Sequence, residues 1–219
     1  RSKVNDDGFY SLMIGASDMG TGCDTILAQM AADCMDCSAD DFIVHGVDTD
    51  ISPYDSGSYA SSTTYLTGMA VVKACDSLRE KILAQGAKYL ECDVEEVDFD
   101  GQKVFMRSKD ASISLKEIGN RVMTNNEEAL VAAGAHSSPV SPPPFMVGMA
   151  EVEVDKETGK VDLIDYAAVV DCGTVVNPNL ARIQTEGGIA QGIGMALYEN
   201  VVYNKKGQCQ IGRASCRER

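Results

Sequence analysis

Between Gly8 and Asp48 the hydrophobic rhythm of the chain changes twice. Gly8 to Ile14 alternates as a strand does. Thr25 to Met35 sets Ile26, Leu27, Met30 and Ala31 on one helical face, and Phe42 to Asp48 is again strand-like. The segment therefore reads as a strand–turn–helix–strand unit. His45 lies inside the second strand with no acid or nucleophile placed beside it, and is expected to be a packed strand histidine. The first turn holds Gly20, Thr21 and Gly22 just before the helix. Glycine has no Cβ to keep a ligand from the backbone. The helix that follows offers unpaired N–H groups and a positive dipole end. Such a loop suits a phosphate or pyrophosphate, and it equally suits a plain turn.

The rest of the composition narrows the class of partner. With 33 acidic and 19 basic residues the 219-residue chain carries a net charge of −14, which argues against nucleic acid or an anionic membrane. No stretch approaches the roughly 20 apolar residues of a membrane span. The first residues, Arg1 to Asp7, are not a signal peptide, and the missing initiator Met suggests a fragment or processed piece. Most of the 8 cysteines fall within apparent elements. Cys34 and Cys37 have Cys-x-x-Cys spacing, but no second Cys or His pair stands at zinc-site distance. Reduced structural thiols of a cytoplasmic protein are the expectation.

After Asp48 comes a loop rich in hydroxyl and small residues, leading into a long helix from about Thr63 to Gln85. Ser61 and Ser62 are placed to cap it and Gly86 to stop it. A second helix start, with hydroxyl donors, is thus offered to an anion; a serine-rich cap is the plain alternative. Asp100 and Gly101 predict a hairpin, and Ser112 to Val122 a short helix capped by Ser114, with Glu117 at the capping-box position. Pro142, Pro143 and Pro144 close a loop and forbid helix. Met146 to Asp155 and Lys160 to Val170 form a second hairpin. A third helix from about Leu180 to Tyr198 sets Gln184, Gly187, Gly188 and Gln191 on one face. Glycines there cost roughly 1 kcal/mol each, so close approach of a backbone or ligand is expected.

In order along the chain stand Asp18, Gly20, Thr21 and Gly22 with Thr25 and Gln29, then Asp48, Thr49 and Pro53, then Ala60, Ser61 and Gly68. Pro142 to Phe145, Glu151 to Gly159, Asp171 to Gly173, Asn177, Pro178 and Gln184 to Gly194 follow. Together these blocks resemble the C-terminal half of the molybdopterin-binding subunit of the xanthine dehydrogenase/aldehyde oxidase family, from about residue 8 to residue 207. The resemblance implies an α/β (α+β, mixed-sheet) molybdopterin-binding domain over 1–207, with lobes at about 1–110 and 145–207. It implies a molybdenum–pterin cofactor, in many bacterial members the cytosine dinucleotide. Gly20, Thr21, Gly22 and Gln184 would line it, Tyr59, Ala60 and Ser61 would sit by metal and pterin, and Ser62 and Thr63 would reach a phosphate. The pterin dithiolene holds the molybdenum, so no protein metal ligand is expected.

The family hydroxylates an electron-poor carbon of a purine, another N-heterocycle or an aldehyde, with oxygen from water. Electrons pass to iron–sulfur clusters and FAD on partner domains or subunits, which implies a hetero-oligomer. Two departures stand out. Thr21 occupies a position where the family usually has Gln. The family's catalytic glutamate belongs to a segment beyond residue 207, so no catalytic residue is assigned; Glu186 and Glu199 are not promoted to that role. Residues 208–219 match nothing in the family and, with Arg213, Arg217 and Arg219 against an acidic body, are expected to be artefactual. The fragment alone is expected to be inactive. The competing readings are a non-enzymatic phosphate- or nucleotide-binding module, and a thiol-redox protein using Cys34 and Cys37.

Overall fold

A computed structural model describes residues 1–211, in two units, Arg1–Ser141 and Pro142–Arg219. The first unit begins with β1 (Ser2–Val4), β2 (Tyr10–Met13), α1 (Cys23–Met35) and β3 (Phe42–His45). β2 and β3 pair in parallel, Tyr10 opposite Phe42 and Met13 opposite His45, because the chain returns to the sheet through α1. β1 and β7 (Val131–Ala132) complete a mixed sheet in the order β3-β2-β1-β7. These two short strands were not expected. They hold too few residues to show a period of two; β1 pairs antiparallel with the nearby β2 on one side and with the distant β7 on the other.

The long helix is α2 (Gly68–Leu90), preceded by a π-helical turn at Thr63–Thr67. It runs past Gly86, which is not its stop. A Cβ at Gly86 would come within 2.7 Å of the Val104 side chain, so this glycine admits β5 (Lys103–Met106) against the helix. The helix ends instead at Glu91, in a left-handed conformation with φ 56°. β5 pairs with β4 (Val97–Phe99) and β6 (Ser112–Ser114) in a second, antiparallel sheet. The stretch read as one helix from Ser112 is thus strand and then α3 (Leu115–Thr124), both within the first unit. Ser114 caps α3 by accepting from the Glu117 N–H at 3.2 Å, as predicted. The Glu117 carboxylate accepts from Arg121 at 2.6 Å, a helical i,i+4 pair.

The core lies between the sheets and the helices. Tyr10, Leu12, Leu27, Met35, Leu78 and Ile82 are fully buried. Tyr10 stacks on Phe42 with centroids 4.7 Å apart and donates to the Gly101 carbonyl at 3.4 Å. Gly101, at φ 88°, turns the predicted hairpin directly beneath the Asp36 carbonyl, where a Cβ would collide with backbone. One buried ring thus joins the βαβ unit to the second sheet.

In the second unit β8 (Phe145–Val154) and β9 (Val161–Asp171) form the predicted hairpin, with Asp155 accepting from the Glu157 N–H at 2.9 Å in its turn. α4 (Pro178–Ile193) starts with Pro178 in its first turn, and Asn177 caps it by accepting from the Leu180 N–H at 3.1 Å. It passes into a π turn at Gly194–Tyr198, so the third helix occupies the expected stretch with a change of winding. β10 (Val202–Tyr203) pairs with β11 (Cys209–Ile211), which lies within the stretch read as a non-matching tail. Residues 212–219 lie outside the described residues.

Candidate cofactor-contacting loops

The glycine loop between β2 and α1 carries its own anion. Asp18 Oδ1 accepts from the backbone N–H groups of Gly20, Thr21 and Gly22 at 2.9, 3.1 and 3.2 Å. Gly20 and Gly22 have φ 95° and 72°, which aims these donors inward at one point. The N–H of Gly20, followed by those of Gly22 and Thr21, holds the Asp18 carboxyl below the usual carboxylate range, although the side chain is exposed. The expectation that these N–H groups await a ligand phosphate is therefore corrected. Aspartate two residues before glycine is a local turn signal that could have revealed it. Asp18, Met19 and Gly20 are exposed, and Thr21 and Gly22 are half-buried.

Asp18, Cys23 and Asp24 bring ligand-type atoms within 4.8 Å of one another, the one such group found among the described residues. Burial, then the Asp18 and Asp24 charges, pushes the Cys23 thiol up to about 11, so it is protonated at neutral pH. Burial likewise pushes Cys37 up to about 12 and raises Cys34. Thiolate is the reactive form, so this environment works against the thiol-redox reading.

The second loop has the unusual backbone. Ala60 and Ser61 both adopt left-handed conformations, at φ 55° and 56°. Each costs about 1 kcal/mol or more for a residue with a Cβ. Neither Ser61 nor Ser62 caps the helix; Ser62 Oγ instead donates to the Tyr59 carbonyl at 2.9 Å. The helix start is π-wound rather than the regular N-terminus expected. Tyr59 is 70% exposed, and Ala60 and Ser61 are exposed beside it, with Ser62 and Thr63 half-buried. From Ser56 to Val72 there is no charged side chain, in a chain of net charge −14.

Further along, residues 134–140 strap the start of α2. Gly134 lies so close that a Cβ would strike the Ala70 carbonyl. Tyr65 donates to Ser138 Oγ at 2.8 Å, and Lys73 Nζ stands 3.2 Å from His136 Nδ1. A lysine ammonium can only donate, so His136 Nδ1 is the acceptor in this contact. Gln184 is exposed on α4, in the other unit.

A family model described as the molybdopterin cofactor-binding domain matches residues 1–215. The chain belongs to this family. The domain is 36% identical over 206 residues to the Probable hypoxanthine oxidase XdhD of Escherichia coli strain K12, covering 94% of this chain and 21% of that protein. It is 31% identical over 211 residues to the xanthine dehydrogenase molybdenum-binding subunit of Escherichia coli O157:H7, covering 94% and 28%. Its fold matches quinoline 2-oxidoreductase from Pseudomonas putida 86 with a TM-score of 0.81 at 27% identity, over 95% of this chain and 28% of the other. The domain thus spans between a fifth and a third of the length of these relatives.

Proposed function

We propose that the domain holds part of a molybdenum–pterin cofactor within the large subunit of a molybdenum hydroxylase. The observation that carries this reading is the paired left-handed backbone at Ala60 and Ser61. It falls in an exposed, uncharged, hydroxyl-rich segment, at the residues the family resemblance sets beside metal and pterin. Strain of this kind concentrates at ligand-contacting sites. The donor set also fits the group: serine and threonine hydroxyls and backbone suit a polar pterin and its phosphates, and no acidic side chain stands between Ser56 and Val72 to repel them.

In this reading Tyr59, Ala60 and Ser61 contact the pterin and shape the space beside the metal. Thr63 donates to a phosphate oxygen, and Ser62 does so once its hydroxyl proton turns from the Tyr59 carbonyl it holds in the free domain. Gly20, Thr21 and Gly22 line the cofactor through their outer face, since Asp18 already satisfies the inward N–H groups. Gln184, on α4, is proposed as a further cofactor-contacting amide. When bound, the cofactor supplies oxidation of an electron-poor carbon with oxygen from water, the electrons leaving to iron–sulfur and FAD partners. A purine, another N-heterocycle or an aldehyde is the proposed substrate class, and a hetero-oligomer the proposed assembly. Thr21, shorter than glutamine, leaves more room at its position.

Metal and pterin analysis of the natively matured protein that contains this domain tests the reading, with nucleotide release assaying the cytosine dinucleotide form. Near-stoichiometric molybdenum with a releasable pterin is expected. A folded, matured sample without either would leave a phosphate- or nucleotide-binding module in its place.

A further inference from the structure

The strained turn at Ala60 and Ser61 needs something to hold its ends, because about 1 kcal/mol or more per residue favours its relaxation. One side chain reaches both ends. Asp55 Oδ1 accepts from the Gly57 N–H at 2.8 Å, just before the turn. Its Oδ2 accepts from the Thr67 hydroxyl at 2.9 Å, at the end of the π-helical turn that follows. Both Asp55 and Thr67 are half-buried, so water competes less for these bonds than at an open surface. Asp55 is itself seated. Gly15, just after β2, lies under it, and a Cβ there would stand 2.8 Å from Asp55 Cβ and 3.1 Å from its N, and would run into the Pro53 carbonyl. The carboxylate is thus fixed to the sheet edge on one side and spans the 57–67 segment on the other.

We propose that Asp55 is a positioning residue, a two-ended clamp that presents Tyr59 to Thr63 in the geometry the cofactor requires. The proposal rests on the cofactor-holding reading, and its geometry is independent of it. Asp55 touches no reacting atom; it acts through the backbone of Ala60 and Ser61. Without the clamp the segment is free to relax to ordinary right-handed or extended backbone. If the competent shape then falls to about a tenth of molecules, apparent cofactor affinity falls about tenfold.

The test compares Asp55→Ala, Asp55→Asn and Thr67→Val in the full-length, natively matured protein. It reads molybdenum and pterin content together with amide hydrogen exchange over residues 57–67. Asparagine can accept from Gly57 with its oxygen and donate to Thr67 with its nitrogen, so Asp55→Asn is expected to retain content and exchange protection. Asp55→Ala is expected to lose most of its cofactor under competition and to exchange faster at 57–67, with α1 and β3 protected as before. Thr67→Val, which removes one end only, is expected to fall between and guards against misfolding of the alanine variant. Wild-type exchange and cofactor content in Asp55→Ala, or an Asp55→Asn as defective as Asp55→Ala, overturns the clamp. Wild-type protein lacking molybdenum and pterin would sink the cofactor reading instead, and the exchange readout would still decide the clamp.

Discussion

At the scale of single residues, charge and burial give sharp expectations. The Asp18 carboxyl is held below its unfolded value of about 3.9 by backbone N–H groups, that of Gly20 foremost. Its contribution is therefore present above that value and lost as pH falls through the folded-state value. Solvent exposure weakens it, so the effect is local. Asp18→Ala is expected to speed amide exchange at Gly20, Thr21 and Gly22 at neutral pH, and wild-type protein to show the same loosening only in acid. Unchanged exchange in the variant would dissolve this role. The thiols of Cys23, Cys37 and Cys75 behave in the opposite sense. Burial pushes Cys23 up to about 11 and Cys37 and Cys75 up to about 12. Their contribution is full below the unfolded thiol value of about 8.5 and is lost as pH rises toward those folded values. Denaturation midpoints are expected to fall from about pH 8.5 upward, and less steeply in Cys75→Ser if its alkaline loss is compared with that at pH 7. An equal slope in that variant would remove Cys75 from the account.

At the scale of elements, α2 is the member against which the first unit is built. Leu78 is fully buried on it, and Leu78→Ala is expected to destabilise by about 2–5 kcal/mol in chemical denaturation. A loss below about 0.5 kcal/mol would place that face at the surface rather than the core. Gly134 tests the strap. Its Cβ would meet the backbone of α2 at Ala70 and Ala74, which cannot swing aside as a side chain can. Gly134→Ala is expected to cost about 1–3 kcal/mol and to break the Tyr65–Ser138 hydrogen bond, visible as faster exchange near the start of α2. Gly86 follows the same logic with a different outcome of reading: helix propensity marks it as a stop, while close packing against Val104 makes it part of the helix.

At the scale of the whole molecule the two units differ in kind. The first has a closed core. In the second, no described residue is buried, and Phe145, Val147, Met149 and Val169 are all at least 68% exposed along its hairpin. A two-stranded hairpin with an uncovered helix is marginal in water. Produced alone, Pro142–Arg219 is expected to lack cooperative thermal unfolding and to bind hydrophobic dyes, whereas Arg1–Ser141 melts cooperatively. A sharp transition in the isolated second unit would contradict this. Among the described residues no helix is long and apolar enough to cross a membrane.

The elements legible in the sequence are those whose signal is local. The alternation of Gly8 to Ile14, the helical stripe of α1, the Asp100–Gly101 and Asp155–Gly159 turns and the Ser114 cap each depend on neighbours a few residues away. Ordered motifs from Asp18 to Gly194 likewise sufficed to mark the family. The tertiary structure alone decided what depends on distant partners. β7 exists because β1, far away in sequence, pairs with it. Gly86 stays helical because Val104 presses on it. The left-handed turn at Ala60 and Ser61 lies where propensity would not put it, next to a carboxylate at Asp55 that packs over Gly15 just after β2. Local chemistry selects turns and periods; long-range packing selects which strained backbone survives, because only contacts made elsewhere can offset its cost.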